Sequence, residues 1–236
     1  MSPIVHCVRH AQGVHNLSHA NHHLPDPELT SLGGEQARVL AASFSSSENI
    51  QLILSSPLRR TIQTALLAFP GMQVVAWPEL QEASDLICDT GSDLLDIKSE
   101  FEKSLVDFSL VEPGWHIKQG KWAPIAKRLL ERAQSARQWL SQRSEKEIVV
   151  VSHGCFLHFL TDDWVNAVNS HATDWTNAEF RSFKFAHDED KTPALRETIE
   201  SRERRGLGPV PPTQKQQLEL QQTTLETWIK WGVILA

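Results

Sequence analysis

Ile4-Val5-His6-Cys7-Val8-Arg9-His10-Ala11-Gln12-Gly13 places an arginine and a histidine directly after an apolar, β-branched run. The run reads as a first β-strand, so Arg9 and His10 fall at its C-terminal end. Much later, Ile148-Val149-Val150-Val151 enters Ser152-His153-Gly154 in the same manner. Two strands therefore each end in a histidine. In an open α/β sheet, ligands bind outside the carboxyl ends of the strands, so the two histidines and the arginine are expected to converge on one site.

The rest of the chain supports an alternating α/β pattern. Further strands are predicted at Leu52 to Leu54, Val74 to Ala76 and roughly Phe180 to Phe185. Helices fall between them. Thr30 is a suitable N-cap for a helix that ends in Ser45-Ser46-Ser47, and Pro57 is suited to open another that Pro70-Gly71 stops. Ile125, Leu129, Ala133, Ala136 and Leu140 recur at helical spacing within a segment from about Pro124 to Gln142, and a further helix follows Gly154. Gln214 to Lys230 reads as a final helix. The predicted fold is α/β, a three-layer α/β/α arrangement with a mostly parallel central sheet and helices on both faces. Residues 84–122 are long, mixed and punctuated by Gly91, Pro113, Gly114 and Gly120, and are expected to form an insertion over the edge of the sheet and its C-terminal strand ends. A single domain over residues 1–236 is expected, with a core of about 3–187 and a C-terminal extension of about 188–236 that begins with a mixed-charge run read as a solvated helix or loop.

Composition narrows the function classes. The chain has 236 residues, 40% hydrophobic and 22% charged, the profile of a water-soluble globular protein. A formal net charge of -6 gives no general attraction for nucleic acid. Cys7, Cys88 and Cys155 are odd in number and widely spaced, which suits free thiols in a reducing compartment better than a disulfide framework. Strand-like sequence begins at Pro3 or Ile4, so no signal peptide is expected, and no apolar run approaches the ~20 residues needed to span a bilayer. The expectation is a cytoplasmic protein with neither membrane nor nucleic-acid partners. Trp231 to Ala236 reads as a docking segment or a frayed end.

A neutral histidine with one ring nitrogen fixed by a hydrogen bond is a nucleophile suited to phosphorus. Phosphoryl transfer then needs cations around the spread negative charge, and arginine grips phosphate oxygens with two donors. A second arginine is available in Ser55-Ser56-Pro57-Leu58-Arg59-Arg60-Thr61-Ile62-Gln63-Thr64-Ala65, at the junction of a strand and a helix. The leaving oxygen needs a proton, and Glu79 or Glu82, just after the third strand, can supply it.

Together these segments resemble the histidine phosphatase superfamily, also called phosphoglycerate mutase-like. The resemblance spans about residues 3–187 with five motifs in order. Arg9-His10 matches the family's Arg-His pair, and Asn16 stands where many members have an asparagine touching phosphate. Ser56 to Thr64 matches Ser-Pro-x-x-Arg-x-x-Gln-Thr, which singles out Arg60. Leu80-Gln81-Glu82 matches the segment carrying the proton donor, which singles out Glu82. Ser152-His153-Gly154 matches the second-histidine motif. The resemblance implies a metal-independent phosphomonoester hydrolase, with no cofactor, acting on a small-molecule phosphate. His10 would be the phosphorylated nucleophile, Glu82 the proton donor, and Arg9, Arg60 and a protonated His153 the holders of the phosphoryl oxygens together with Asn16. Pro25 to Thr30 and Cys88 to Ser92 are similar to a fungal branch.

The usual Arg-His-Gly-Glu reads Arg9-His10-Ala11-Gln12 here. Ala11 implies that the turn needs no glycine, and the loss of a carboxylate at Gln12 weighs against a phosphomutase. A non-catalytic interaction protein on the same fold is the alternative from another class; it would bind through the 84–122 insertion or the tail. His15, His19, His22 and His23 would offer zinc ligands if helical, but Asn16, Asn21, Pro25 and Pro27 favour a loop whose histidines rim the pocket. Trp77, Trp115 and Trp122 are expected in the core or lining a pocket for an apolar leaving group. Trp228 and Trp231 are expected to pack on the sheet or to form a homodimer contact.

Overall fold

The computed structural model describes residues 2–44, 49–169, 173–186 and 193–236. Its centre is one seven-stranded sheet of order β4-β3-β2-β5-β1-β6-β7. The strands are β1 (Ile4–Arg9), β2 (Ile50–Ser55), β3 (Val74–Ala76), β4 (Val106–Asp107), β5 (Glu147–Ser152), β6 (Phe180–Ala186) and β7 (Ala194–Glu197). β1 to β5 pair parallel, and β6 and β7 add an antiparallel margin.

The long apolar strands are read on both faces, as expected for a doubly covered parallel sheet. Ile148 and Val150 of β5 belong to one cluster, with Leu129, Ala133 and Ala136 of α4 (Ala126–Ser141) and Phe156 and Leu160 of α5 (Gly154–Thr161). Val149 and Val151 belong to the cluster on the other face, with Leu40 of α1 (Ser31–Ser43) and Ala65 and Ala68 of α2 (Arg59–Ala68). The two-residue period of the strand thus assigns its alternate side chains to two helical layers.

Local chemistry sets the helix starts. The Thr30 hydroxyl accepts from Gly33 N at 3.0 Å and caps α1. Gly33 is required there, because an added Cβ would lie 2.1 Å from the Gln12 carbonyl oxygen. Pro57 does not open α2. Leu58 after it is extended, and the helix begins at Arg59, whose N–H is accepted by Asp26 Oδ1 at 3.0 Å. The Ser45-Ser46-Ser47 end predicted for α1 lies outside the described residues; the described helix ends at Ser43.

Two strands were not predicted. β4 comes from the 84–122 segment, which also holds α3 (Leu94–Glu100), so this segment extends the sheet at its edge as well as reaching the strand ends. β7 lies in the mixed-charge run, so the sheet continues past residue 187. The run is correspondingly not just a solvated element: α6 (Ile199–Arg204) follows β7 and buries Ser201 and Arg202. The last helix, α7 (Gln214–Lys230), carries Trp228 fully into the cluster that contains Phe159 and Trp164, while Trp231 stays 50% exposed. Trp231 to Ala236 docks rather than frays, since Leu235 N donates to Pro124 O at 2.7 Å and Ile234 is buried. Trp77 and Trp115 are also core residues, not pocket walls; Trp122 is half-buried with Lys121 over its ring. None of the three cysteines is in a disulfide. Among the described residues no helix is long and apolar enough to cross a membrane.

Trp228→Ala removes the anchor of α7 and should cost about 3–5 kcal/mol, whereas Ile229→Ala on the outer side should cost under about 1 kcal/mol. Urea unfolding of the two variants checks this; equal effects would mean that α7 is not held by Trp228.

Candidate active site

The parallel register brings the sequence-predicted residues together. Arg9 of β1 pairs level with Ser152 of β5, so His10 and His153 are each the next residue beyond the sheet. Their ring centroids are 5.1 Å apart. Ser56 follows β2, Arg60 stands in the first turn of α2, and Glu82 follows β3 after a single 3-10 turn. All five predicted catalytic positions therefore lie around the carboxyl ends of the parallel strands.

His10 is 2% exposed, and its Nδ1 lies 2.7 Å from the Ala11 carbonyl oxygen. A carbonyl can only accept, so Nδ1 carries the proton and the Nε2 lone pair is uncommitted. Burial first, then Arg60, Arg9 and His15, lower the pKa of His10 well below the usual imidazole value. The nucleophile candidate is thus neutral with a defined tautomer. Its carbonyl is held in turn by Ala178 N and Asn177 Nδ2, both at 3.2 Å.

Arg60 is fully buried. It donates to Cys88 O at 2.7 Å, to Asp89 Oδ1 at 2.8 Å and to His153 Nδ1 at 3.1 Å. His153 Nε2 lies 2.9 Å from Ser56 Oγ. Because a guanidinium has no acceptor, His153 Nδ1 must be unprotonated and Nε2 donates to Ser56. Burial, Arg60 and His10 lower its pKa well below the usual value. The protonated His153 expected of the loaded site is thus not the state of the ring without a phosphoryl group, where Arg60 holds it neutral. The neighbouring Arg59 is not part of the cluster and pairs with Glu100 at 2.5 Å.

Arg9 donates through one Nη to the Trp175 carbonyl, and its Nε has no partner among the described residues. The Asn16 amide oxygen accepts from Gly13 N at 3.0 Å and from Asn177 Nδ2 at 3.3 Å, which fixes the loop beside His10. Glu82 is buried at the start of α5: its carboxylate accepts from Phe156 N at 2.9 Å and Ala83 N at 2.8 Å. Burial and the nearby Asp89 raise its pKa, opposed by these N–H groups and Arg60. Glu79 instead faces Lys121 at 3.5 Å.

The departures from the usual motif have visible consequences. Ala11 adopts no positive φ, so a glycine has no advantage there. Gln12 accepts from the Thr30 hydroxyl at 2.9 Å and braces the start of α1. The predicted histidine cluster does not form one helical face. Val14–Leu17 and His19–His23 are separate 3-10 turns, His15 turns inward to 5.4 Å from His10, and His19 and His22 pair at 5.0 Å further out. Among the described residues, no group of three or more His, Cys, Asp or Glu side chains is arranged to hold a metal ion.

Other residues of the site were not singled out as members of it by the sequence. Ser56 and Asp89 lie in segments that were, yet their roles as partners of His153 and Arg60 depend on tertiary contact. Lys118 has no sequence signal; its ammonium donates to Glu82 O at 3.0 Å, and burial pushes its pKa down to about 7.

Known proteins share the family and the fold of this chain. The model of the Histidine phosphatase superfamily (branch 1) matches residues 5–198. A "Phosphoglycerate mutase-like protein" of Arabidopsis thaliana is 29% identical over 202 residues, 66% of this chain and 72% of its own length. A "Probable phosphatase" of Schizosaccharomyces pombe is 24% identical over 200 residues, 79% of this chain and 92% of its own. Among solved structures, the phosphoserine phosphatase of Entamoeba histolytica in complex with 3-phosphoglyceric acid superposes with a TM-score of 0.53 at 22% identity, covering 82% of this chain and 94% of the other. At that identity the likeness concerns the fold.

His10 and His153 are neutral in the fold with pKa values below their unfolded value of about 6.5. Below that pH the unfolded chain binds more protons, so the stability they allow is present above it and is lost as pH falls. Unfolding free energy should therefore drop between pH 7.5 and 5. His153→Gln should flatten the slope by up to about 1.4 kcal/mol per pH unit; an unchanged slope would mean that His153 is protonated in the fold.

Proposed function

The chain belongs to the histidine phosphatase superfamily, branch 1, and we propose that it is a phosphatase that hydrolyses small-molecule phosphomonoesters through a phosphohistidine on His10. The observation that carries this reading is the hydrogen bond from His10 Nδ1 to its neighbour's carbonyl at 2.7 Å, which leaves Nε2 available amid Arg9, Arg60 and His153.

The Nε2 lone pair attacks phosphorus in line. A P–N bond forms as the ester P–O bond breaks, and Glu82 gives its proton to the leaving oxygen. Arg9 and Arg60 offset the charge on the equatorial oxygens. A dianionic phosphoryl group arriving beside His153 favours the imidazolium, so binding is accompanied by proton uptake at His153 Nδ1, and the Arg60 N–H that Nδ1 had accepted turns to a phosphoryl oxygen. Water then attacks phosphorus, the Glu82 carboxylate takes a water proton, and the P–N bond breaks to release phosphate. The electrostatic work falls to side chains, so the reaction is expected to be independent of added metal. Gln12, occupied with Thr30, offers no carboxylate to steer a mutase-type reorientation.

Two kinetic consequences can be measured on an alkyl phosphate. His10→Ala should abolish phosphate release, and Glu82→Gln should reduce kcat about 10²–10⁴-fold, while EDTA should leave the wild type unaffected. Because the pKa of His10 is lowered and that of Glu82 raised, the nucleophile stays competent into acid and the proton donor is lost as pH rises. The kcat/KM profile should fall on its alkaline side, and Glu82→Gln should remove that fall. Wild-type turnover that survives His10→Ala would overturn the reading, and so would a complete absence of turnover with every phosphomonoester tried.

A further inference from the structure

His15 is a buried polar side chain beside the cluster that the proposed reaction does not use. It is 7% exposed, and its ring centroid lies 5.4 Å from that of His10. The short 3-10 turn Val14–Leu17, following Gly13, carries it inward. Its Nδ1–Cε1 side rests on Gly13, where an added Cβ would come within 2.8 Å of both atoms and 3.4 Å of the Arg60 side chain. The ring thus lies against Gly13, on the side of the loop that the Arg60 side chain also approaches.

Its two nitrogens stand in different surroundings. Nδ1 is buried against Gly13 with no hydrogen-bond partner among the described residues. Nε2 is not among the buried unpartnered atoms. Burial, Arg60 and Arg9, with His22 beyond, lower the pKa of His15 to about 2, so the ring is neutral and carries one proton. Leaving a lone pair unpaired against Gly13 costs less than leaving an N–H there, because an orphaned buried donor is the rarer case in folded proteins. That places the proton on Nε2. An imidazole N–H without a protein acceptor, beside the nucleophile and within the field of Arg60, is suited to an anionic oxygen.

We propose that His15 is a third imidazole of the phosphoryl pocket, donating from Nε2 to an oxygen of the group that His10 receives. This rests on the phosphohistidine reading for the identity of the ligand, but concerns a residue outside its chemistry. His15 moves no proton to the leaving oxygen; it holds a phosphoryl oxygen that the two arginines leave unpaired. The charged and titratable groups that act on His15 are Arg60, Arg9 and His22, with the His10 ring beside it, and none of them is an anion.

The test uses the full chain and orthovanadate, which copies the five-coordinate phosphoryl group, together with inorganic phosphate as the ground-state probe. His15→Phe keeps a planar ring against Gly13 and removes the donor. It should weaken vanadate binding about 10- to 100-fold, with a smaller loss for inorganic phosphate. His15→Gln, whose amide reaches about the position of Nε2, should restore most of the affinity; restoration is not expected if the ring only fills space. Binding is read by calorimetry, so the result stands even if the wild type turns over none of the esters tried. Vanadate bound as tightly by His15→Phe as by the wild type would overturn the proposal. If His15→Phe does not fold, the comparison of His15→Gln with His15→Ala decides it, and equal weakening in those two would count against a donor.

Discussion

A fully buried guanidinium is the constraint around which the site is organised. Removing Arg60 from water costs several kcal/mol unless its donors are met. Three groups answer its Nη donors: the Cys88 carbonyl and Asp89 carboxylate from the insertion, and the His153 ring beyond β5. Each answer has a further effect. Meeting Asp89 fixes the 84–122 segment over the strand ends, and Asp89 in turn helps to raise the pKa of Glu82. Donating to His153 fixes that ring's tautomer and aligns it with Ser56. The insertion is therefore part of the electrostatics of the site, not only a covering.

The strand ends and their histidines were legible because both signals are local. A β-branched run followed by Arg9-His10, or by Ser152-His153-Gly154, states its own element and its own terminus. Arg60 and Glu82 were legible only through a family pattern, since helix spacing does not distinguish Arg59 from Arg60 and no local rule distinguishes Glu79 from Glu82. In the fold the choice is one of direction: Arg59 and Glu79 find partners at the surface, while Arg60 and Glu82 turn inward. β4 escaped notice because two residues carry no periodicity, and β7 because its Ala194-Leu195-Arg196-Glu197 is set in a run of charge. The neutral state of His153 was beyond sequence altogether, because it follows from which nitrogen Arg60 reaches.

Glu82 joins chemistry to architecture in another way. Its carboxylate accepts from the first turn of α5, where a helix favours negative charge. Burial and Asp89 favour the acid, and the helix N-terminus and Arg60 favour the carboxylate. The proposed role, to give a proton in one step and take one in the next, is served by such opposed influences.

Behind Arg9, the Trp175 carbonyl that receives its guanidinium belongs to a loop braced from the C-terminal side. Arg181 stacks on Trp175 at 3.8 Å and pairs with Asp174 and Glu179 at 3.1 and 2.6 Å. Arg205, beyond β7 and α6, binds the same two carboxylates at 3.1 and 3.3 Å. The family match ends at residue 198, short of Arg205 and of Trp228. A boundary for expression drawn at the end of the homologous region would consequently remove the Arg205 half of the brace behind a candidate active-site arginine, and such a fragment would be a poor guide to the enzyme even if it remained soluble.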